Sequence, residues 1–303
     1  MRRINLSNIG THAVLIVWCL IVLFPIWTML INSVKPKREI FRDPFGFPSQ
    51  FTAEGYQGVW MEAGDFNLDK CLAEIPAGQN SVGCYLQLLN TGFAVYYRNS
   101  IFVTVGSLFL IVFLGSLAAY GLANWRTRLS GLIHIFFIAG LMIPIRLGTI
   151  NLLQLIQSLG LGDSVLALIP IYVAMGMPIA TFVLTSFIRS LPRELNEAAQ
   201  IDGASEWRIY RSIILPLIRP AIATVIIFNM LPIWNDLWFP LIFTRSPETR
   251  TVTYGVSLLF GQYYTDWTRA LSALSLAAVP LLILYVLMSN QFIKGLTAGA
   301  VKQ

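Results

Sequence analysis

The sequence predicts an all-α polytopic membrane protein with six membrane-spanning helices and a folded external insertion between the first and the second. Three observations predict it. Apolar residue types make up 56% of the 303 residues. Charged residues make up only 12%, against about 25% in an average soluble domain. The charges also avoid several stretches long enough to cross a hydrocarbon core of about 30 Å at about 1.5 Å per helical residue. A soluble domain is disfavoured before any motif is considered.

The stretches are 13–31, 101–123, 129–151, 164–188, 217–243 and 270–293. The charges deep within them are Arg146 and Asp236, with Arg219 at the edge of the fifth. Arg2 and Arg3 precede the first stretch as they would precede a secretory signal. Yet the apolar run from Ala13 to Ile31 leads into Asn32-Ser33-Val34-Lys35-Pro36 and not into a small-x-small cleavage site, so it reads as a retained helix.

Short loops rich in Lys and Arg stay on the cytoplasmic side. Arg126 and Arg128 lie in one such loop, and Arg189, Arg193, Arg208 and Arg211 in another. Six spans then put both termini inside and the segment 32–100 outside. The flanks of the first span run against this, with Lys35, Lys37 and Arg38 outside, and the later loops are given more weight. The division expected is 1–34 for the cytoplasmic N-terminus and first span, and 35–97 for an external loop domain. A five-helix core, 98–293, contains the cytoplasmic loop 189–216, and 294–303 form a cytoplasmic tail.

In the insertion, Pro44, Gly46, Pro48, Gly55, Gly58, Gly64 and Gly78 interrupt any long helix. Its acids Glu39, Asp43, Glu54, Glu62, Asp65, Asp69 and Glu74 nearly balance its bases, so it does not read as a patch for anionic lipid. A docking surface for an external protein and a solvated cap both fit. Cys71 and Cys84 fall here while Cys19 falls in the first span, which predicts a Cys71–Cys84 disulfide over two unpaired thiols.

Within the spans, Gly115, Ala118, Ala119 and Gly121 permit close helix approach. Pro170, Pro178, Pro220, Pro232 and Pro280 kink helices or free carbonyls that the protein must satisfy internally. Such a bundle suits a pathway better than an inert anchor.

The stretch Leu191–Pro216 reads as two short helices. Pro192 suits a first helical turn, Gly203 a left-handed C-terminal cap, and Ser205 the cap of the next helix, with Pro216 opening the fifth span. Ala198 and Ala199 offer a low-relief surface flanked by Arg193 and Glu197, four residues apart. A small-residue helix ending at a glycine bend is shaped for another protein's groove. It lacks the apolar stripe of a helix resting on lipid.

Glu197-Ala198-Ala199, Asp202-Gly203-Ala204, Ile213 and Leu215-Pro216 resemble the cytoplasmic EAA loop of ABC importer permeases. Three further patterns are similar to the maltose-type carbohydrate importers: Asn99-Ser100-Ile101, Trp234-Asn235-Asp236-Leu237-Trp238-Phe239-Pro240-Leu241, and the tail from Gly295 to Lys302. The resemblance runs from the first span to the C-terminus. It implies the type I ABC importer permease fold and the second, six-span permease of a pair, in a bacterial inner membrane.

The cargo so implied is a di- or oligosaccharide or an amino sugar, moved by alternating access. The partners implied are a second permease, two cytoplasmic ATPase subunits, an external substrate-binding protein and membrane lipid, with no nucleic acid. Glu197, Ala198, Ala199, Asp202 and Gly203 carry over as ATPase-coupling residues and none as catalytic. The chain has no GxxxxGK[ST] loop, so ATP and Mg belong to the partner ATPases and this chain binds no cofactor. Sugar permeases commonly continue after Pro144 with Pro-Leu-Tyr, whereas Ile145-Arg146-Leu147 follows here.

Asn229 and Asp236 are seven apart on the fifth stretch, hence on one face. With Leu217 at the inner surface, Asn229 lies about 18 Å in along the axis. Asn229, Asn235 and Asp236, with the rings of Trp234 or Trp238, are candidates to line a sugar passage. Trp residues at span ends also serve as interfacial anchors, Asn229 can hydrogen-bond a neighbouring helix, and Asp236 can pair with Arg146. His12 and His134 are too few and too far apart for a metal site. Gly255, Gly261, Tyr263, Tyr264 and Trp267 belong to an outer loop, as binding-protein contacts or as rim anchors. A non-sugar solute is the alternative cargo. A membrane receptor or enzyme is the alternative class, and no nucleophile-and-base constellation supports an enzyme.

Overall fold

The computed structural model describes residues 6–63, 66–73, 82–89, 92–125, 127–261 and 265–300. Arg2, Arg3, Gly64, Asp65, Glu74, Gly78, Arg126, Tyr263, Tyr264, Val301 and Lys302, named above, lie outside them. The first helix, α1 (Leu6–Asn32), is followed by α2 (Lys37–Arg42) and α3 (Glu54–Met61). Two-residue strands β1 (Glu62–Ala63) and β2 (Phe66–Asn67) pair antiparallel, and α4 (Leu68–Ala73) and α5 (Val82–Leu89) follow. Then come α6 (Gly92–Asn124), α7 (Arg128–Gly140), α8 (Thr149–Ser158) and α9 (Leu168–Arg189). The short α10 (Glu194–Ile201), α11 (Glu206–Ile209) and α12 (Leu215–Leu217) precede α13 (Arg219–Trp234), α14 (Trp238–Phe243), α15 (Val252–Leu258) and α16 (Trp267–Ala300). The chain divides into two compact units.

The first unit comprises residues up to Ala94 together with Gly255–Pro280. Its α1 is apolar and exposed along nearly its whole length. At its end Asn32 donates through Nδ2 to the carbonyls of Thr28 at 2.7 Å and Pro44 at 2.8 Å. Lys35 is fully buried, and its Nζ donates to the Asp43 carbonyl at 2.7 Å, at the C-terminal cap of α2. The partial negative charge of a helix C-terminus favours a cation there. Lys35 is therefore not the surface charge that the positive-inside count assigned to the outer flank.

Close approach fixes α3 against α16. A Cβ at Gly55 would come within 2.5 Å of the Thr268 carbonyl and closer still to Ser272 Oγ. Ser272 Oγ donates to the Ser33 carbonyl at 3.0 Å, and the Ser33 and Tyr56 hydroxyls share a bond of 2.7 Å. Cys71 of α4 and Cys84 of α5 are joined by a disulfide with Cα atoms 6.0 Å apart. A bridge closing a loop of this length contributes about 3 kcal/mol in the chain-entropy account. The free cysteine among the described residues is Cys19, exposed on α1.

The second unit comprises Val95–Tyr254 and residues from Leu281 onward. Its core is built on α6, α9 and α13. A Cβ on Gly115 would sit 2.9 Å from the Ala180 Cβ. One on Gly176 would meet Asn229 Oδ1 at 2.5 Å and clash with the Ile111 side chain. Small residues here let the helices touch along their backbones. Asn99 Nδ2 donates to the carbonyls of Glu248 and Arg250 at 2.8 and 2.9 Å, and Ser100 Oγ accepts from Val252 N at 2.9 Å. The pair thus pins the segment before α15 to α6.

Among the described residues, four helices are long and apolar enough to cross a membrane: Gly10–Asn32, Gly92–Asn124, Val165–Arg189 and Trp267–Leu287. Two further helix pairs are apolar enough only when taken together, and each is bent, which brings the count of spans to six where a bent pair is one span. Arg128–Gly140 and Ile145–Ser158 meet at 82°, and Glu206–Leu217 and Arg219–Trp234 at 72°. The stretches 129–151 and 217–243 are therefore not continuous helices. In the first, Pro144 lacks an N–H and keeps Ile143 away from the helical region. In the second, Ile218 breaks the helix ahead of Pro220, and α13 stops at Trp234. The second span also starts earlier than 101, at Gly92.

Between α8 and α9 the chain turns through Gly160 (φ +70) and Asp163 (φ +51). Asp163 Oδ1 accepts from Arg245 N at 2.7 Å, Ser246 N at 3.1 Å and Thr249 Oγ1 at 2.9 Å, and Oδ2 accepts from the Ser246 hydroxyl. These donors, Ser246 first, pull the Asp163 pKa down from 3.8 to about 2.

A carboxylate with a lowered folded pKa contributes stability that is complete above its unfolded value and is lost as pH falls through the folded one. The Asp163 contribution should therefore hold above pH 3.8 and disappear as pH falls towards about 2. Asp163→Asn should flatten that part of the melting-temperature profile in detergent. Gly176→Leu should lower the melting temperature by an amount equivalent to about 1–3 kcal/mol, the range for overpacking. Gly131→Ala, with nothing within 4 Å of its Cβ, should not lower it and should raise it slightly through helix propensity.

Candidate functional site

Two clusters concentrate the polar chemistry of the second unit. The first is the α10–α11 hairpin. Ala199 is buried in the core, whereas Glu197, Ala198, Asp202 and Gly203 are exposed. The two alanines, about 100° apart around the helix, thus do not form one surface. The outward face is completed by Leu195 and by Ile201, which is 86% exposed. Leu195, Ala198 and Ile201 are spaced by three, one helical face. Sequence reasoning missed Ile201 and denied this helix an apolar stripe, which the exposed Leu195, Ala198 and Ile201 correct; the signal is an apolar residue three after a small one on an otherwise charged helix.

The bend is closed locally. Gly203 has φ +76, and the amide of Ala204 returns to the Ala199 carbonyl at 2.9 Å, the six-to-one bond of a Schellman cap. Ser205 Oγ accepts from Arg208 N at 3.4 Å and caps α11. Residues 210–214 then widen into a π-helix in which Leu215 N donates to the Tyr210 carbonyl. Pro216 has no N–H to continue the regular ladder.

Beneath α10 lies a polar cavity of about 330 Å³, lined by Tyr120, Asn124, Arg193, Asn196, Glu197 and Glu206 among others. No ion pair joins Arg193 to Glu197 among the described residues. Glu206 Oε2 accepts from the Tyr120 hydroxyl at 2.6 Å, and Oε1 accepts from Gln200 Nε2 at 3.1 Å. Asn196 Nδ2 donates to Asn124 Oδ1 at 3.1 Å, and Arg189 donates to the Leu122 carbonyl at 2.9 Å.

The second cluster joins the breaks at residues 141–148 and 235–237. Asp236, its side chain 8% exposed, accepts from the Tyr172 hydroxyl at 2.9 Å, from Phe239 N at 3.1 Å and from Trp238 N at 3.3 Å. Arg146 reaches it at 3.9 Å, with its own side chain 66% exposed. The guanidinium also lies 5.8 Å from the Trp238 ring centroid, and the indole Nε1 donates to Thr149 Oγ1 at 3.1 Å. Asp236 therefore starts α14 by accepting its first amides.

The sequence argument placed Asn229 and Asp236 on one helical face. Because α13 ends at Trp234, that register does not apply. Asn229 is buried against Gly176, with Nδ2 donating to the Val225 carbonyl at 2.8 Å. Trp234 is buried beside Tyr97, at 6.1 Å between ring centroids, whereas Asn235 and Trp238 are exposed. His134 stacks on Phe182 at 6.5 Å.

Residues 111–297, more than half of the chain, match the family described as binding-protein-dependent transport system inner membrane component. The chain belongs to this family. It is a membrane-spanning permease of an ABC importer, a transport component and not an enzyme. Among relatives, the diacetylchitobiose uptake system permease protein NgcG of Streptomyces coelicolor is 32% identical over 97% of this chain and 87% of its own. The inner membrane ABC transporter permease protein YcjP of Escherichia coli is 33% identical over 98% of both. A crystal structure of a bacterial ABC transporter involved in the import of alginate has a chain that shares the fold. Its TM-score is 0.71 at 17% identity, covering 96% of this chain and 98% of that one.

Both clusters of the permease lie within the matched residues, whereas the Cys71–Cys84 insertion lies outside them. Arg146 and Asp236 contribute unequally. An exposed ion pair is worth about 0–1 kcal/mol, whereas buried donors left without their acceptor cost about 1–3 kcal/mol. Arg146→Ala should barely change the permease's melting temperature, and Asp236→Ala should lower it clearly. Exchanging the two charges should not restore the loss, since an arginine at 236 cannot accept from Tyr172, Trp238 and Phe239.

Proposed function

We propose that this permease is the second, six-span subunit of a carbohydrate importer and moves a di- or oligosaccharide or an amino sugar into the cytoplasm. It works with a second permease, two cytoplasmic ATPase subunits that use ATP and Mg, and an external binding protein. Both termini face the cytoplasm, which leaves the disulfide-bonded insertion on the oxidising side. The observation that carries the reading is the exposed face of α10, from Leu195 through Ala198 to Ile201, ending on Asp202 and the left-handed Gly203. Glu197 stands at its edge, and Ala199 is its buried seat.

Docked in a cleft of the ATPase, this helix carries nucleotide-driven closure to the spans. The sugar assignment is supported by the names of the relatives, among them the diacetylchitobiose permease. The exposed Asn235 and Trp238 face the sugar passage, the amide offering hydrogen bonds and the indole a ring face. Asn229, Trp234 and Asp236 shape it from behind.

Uptake into proteoliposomes holding the whole complex, with a panel of mono- and disaccharides and amino sugars against amino acids, tests the cargo. Uptake of amino acids alone would overturn it. Ile201→Glu should desolvate poorly in an apolar cleft and reduce uptake at least tenfold. Gly203→Pro should do the same while the two permeases still purify together. Unchanged uptake in both variants would remove α10 from the coupling role.

A further inference from the structure

A helix that receives force must pass it to the spans through something stiff. Around α10 the packing is incomplete, because the polar cavity of about 330 Å³ lies between its Asn196, Glu197 and Gln200 side and the end of α6. Ala199 is its buried residue, and the Gly203 bend has no atom within 4 Å of a built Cβ. Across this cavity the side-chain hydrogen bonds act as struts.

One carboxylate holds three elements. Glu206, at the start of α11, takes the Gln200 amide of α10 on one oxygen and the Tyr120 hydroxyl of α6 on the other, at 3.1 and 2.6 Å. It thereby spans the glycine bend and fixes both arms of the hairpin to α6. The Tyr120 ring lies 5.5 Å from that of Tyr210, whose hydroxyl shares a bond of 2.8 Å with Ser116 Oγ, one helical turn further along α6. Hydrogen bonds to an ionised acceptor are shorter and about twice as strong as neutral ones.

We infer that Tyr120 and Glu206 are positioning residues that transmit displacement of α10 to α6, so that the hairpin and α6 move as one body during the transport cycle. The inference rests on the coupling role proposed for α10. Both act by holding α10 and α11 at a fixed distance from the span. Asn124 and Asn196 add a second, uncharged strut.

The test uses the complete complex in proteoliposomes and the panel sugar with the highest uptake. Uptake, ATP hydrolysed per sugar moved, and the ATPase retained on purification are measured for each variant. Tyr120→Phe removes one hydroxyl and keeps the ring, and Glu206→Leu removes both acceptors. Each should lower uptake at least tenfold, with ATPase retention unchanged and ATP per sugar increased. Glu206→Gln keeps an acceptor for Tyr120 and should stay within about threefold of wild type. The double variant should be no worse than the poorer single one, as expected for residues acting as a unit.

Wild-type uptake in Tyr120→Phe and Glu206→Leu, alongside loss in Ile201→Glu, would overturn the relay and leave the coupling role standing. Wild-type uptake in all three would overturn the coupling role and the relay with it. Loss of the ATPase from Glu206→Leu would also overturn the relay, since the residue would then only hold the docking surface together.

Discussion

In a hydrocarbon surrounding, a main-chain amide or carbonyl released by a broken helix has to find its partner inside the protein. This chain interrupts its helices at residues 141–148, between α7 and α8, and at 235–237, between α13 and α14, and the two interruptions meet at Asp236. The carboxylate accepts two amides at the start of α14 and the Tyr172 hydroxyl from α9. A buried charge without such donors would be costly. With them it ties α9 to the α13–α14 junction, while Arg146 and the Trp238–Thr149 bond bring in the bent pair α7–α8. Asp236 thus acts mainly as a structural acceptor, and the partly exposed arginine is its weakest partner.

The same requirement shapes the other end of α13. Pro216 cannot donate, and the preceding turn opens into a π-helix before the 72° bend at Ile218. The bend lets the α10–α11 hairpin lie across the end of α6 and not continue the line of the span. Polar side chains then replace the missing helical continuity, with Tyr120, Glu206 and Asn124 reaching into the cavity that the turn creates.

Much of this was legible in the residues. Apolar runs located the four long helices and the two bent pairs, and the Glu197–Gly203 segment carried its own helix, bend and cap. The two breaks were legible in principle. Asp236 followed by Trp238 and Phe239 is a helix-start pattern, and it argues against a helix running through from Leu217. Pro144 gave the same warning in the third stretch. Hydropathy hid both, because a bent span and a straight one have the same apolar content. The partners of Asp236 and Glu206 were not legible at all. Tyr172 and Tyr120 lie 64 and 86 residues away in the chain, and only the packing of α6, α9 and α13 brings them close. Exposure of Ile201 against burial of Ala199 likewise depends on which way the hairpin turns.

Lipid tails are as apolar as leucine, so helices in a membrane gain little from apolar contact as such and associate through close fit and polar bonds. Close fit at Gly115 and Gly176 brings α6, α9 and α13 together, but a smooth small-residue seam tolerates a slip along the axis. Polar joints do not, because a displacement of one turn, about 5.4 Å, breaks every bond in them. The permease has such joints on both sides of the seam: Glu206 with Tyr120 and Gln200 at the hairpin, and Asp236 with Tyr172 at the break. Spans fixed in register at two points can tilt as bodies but not slide.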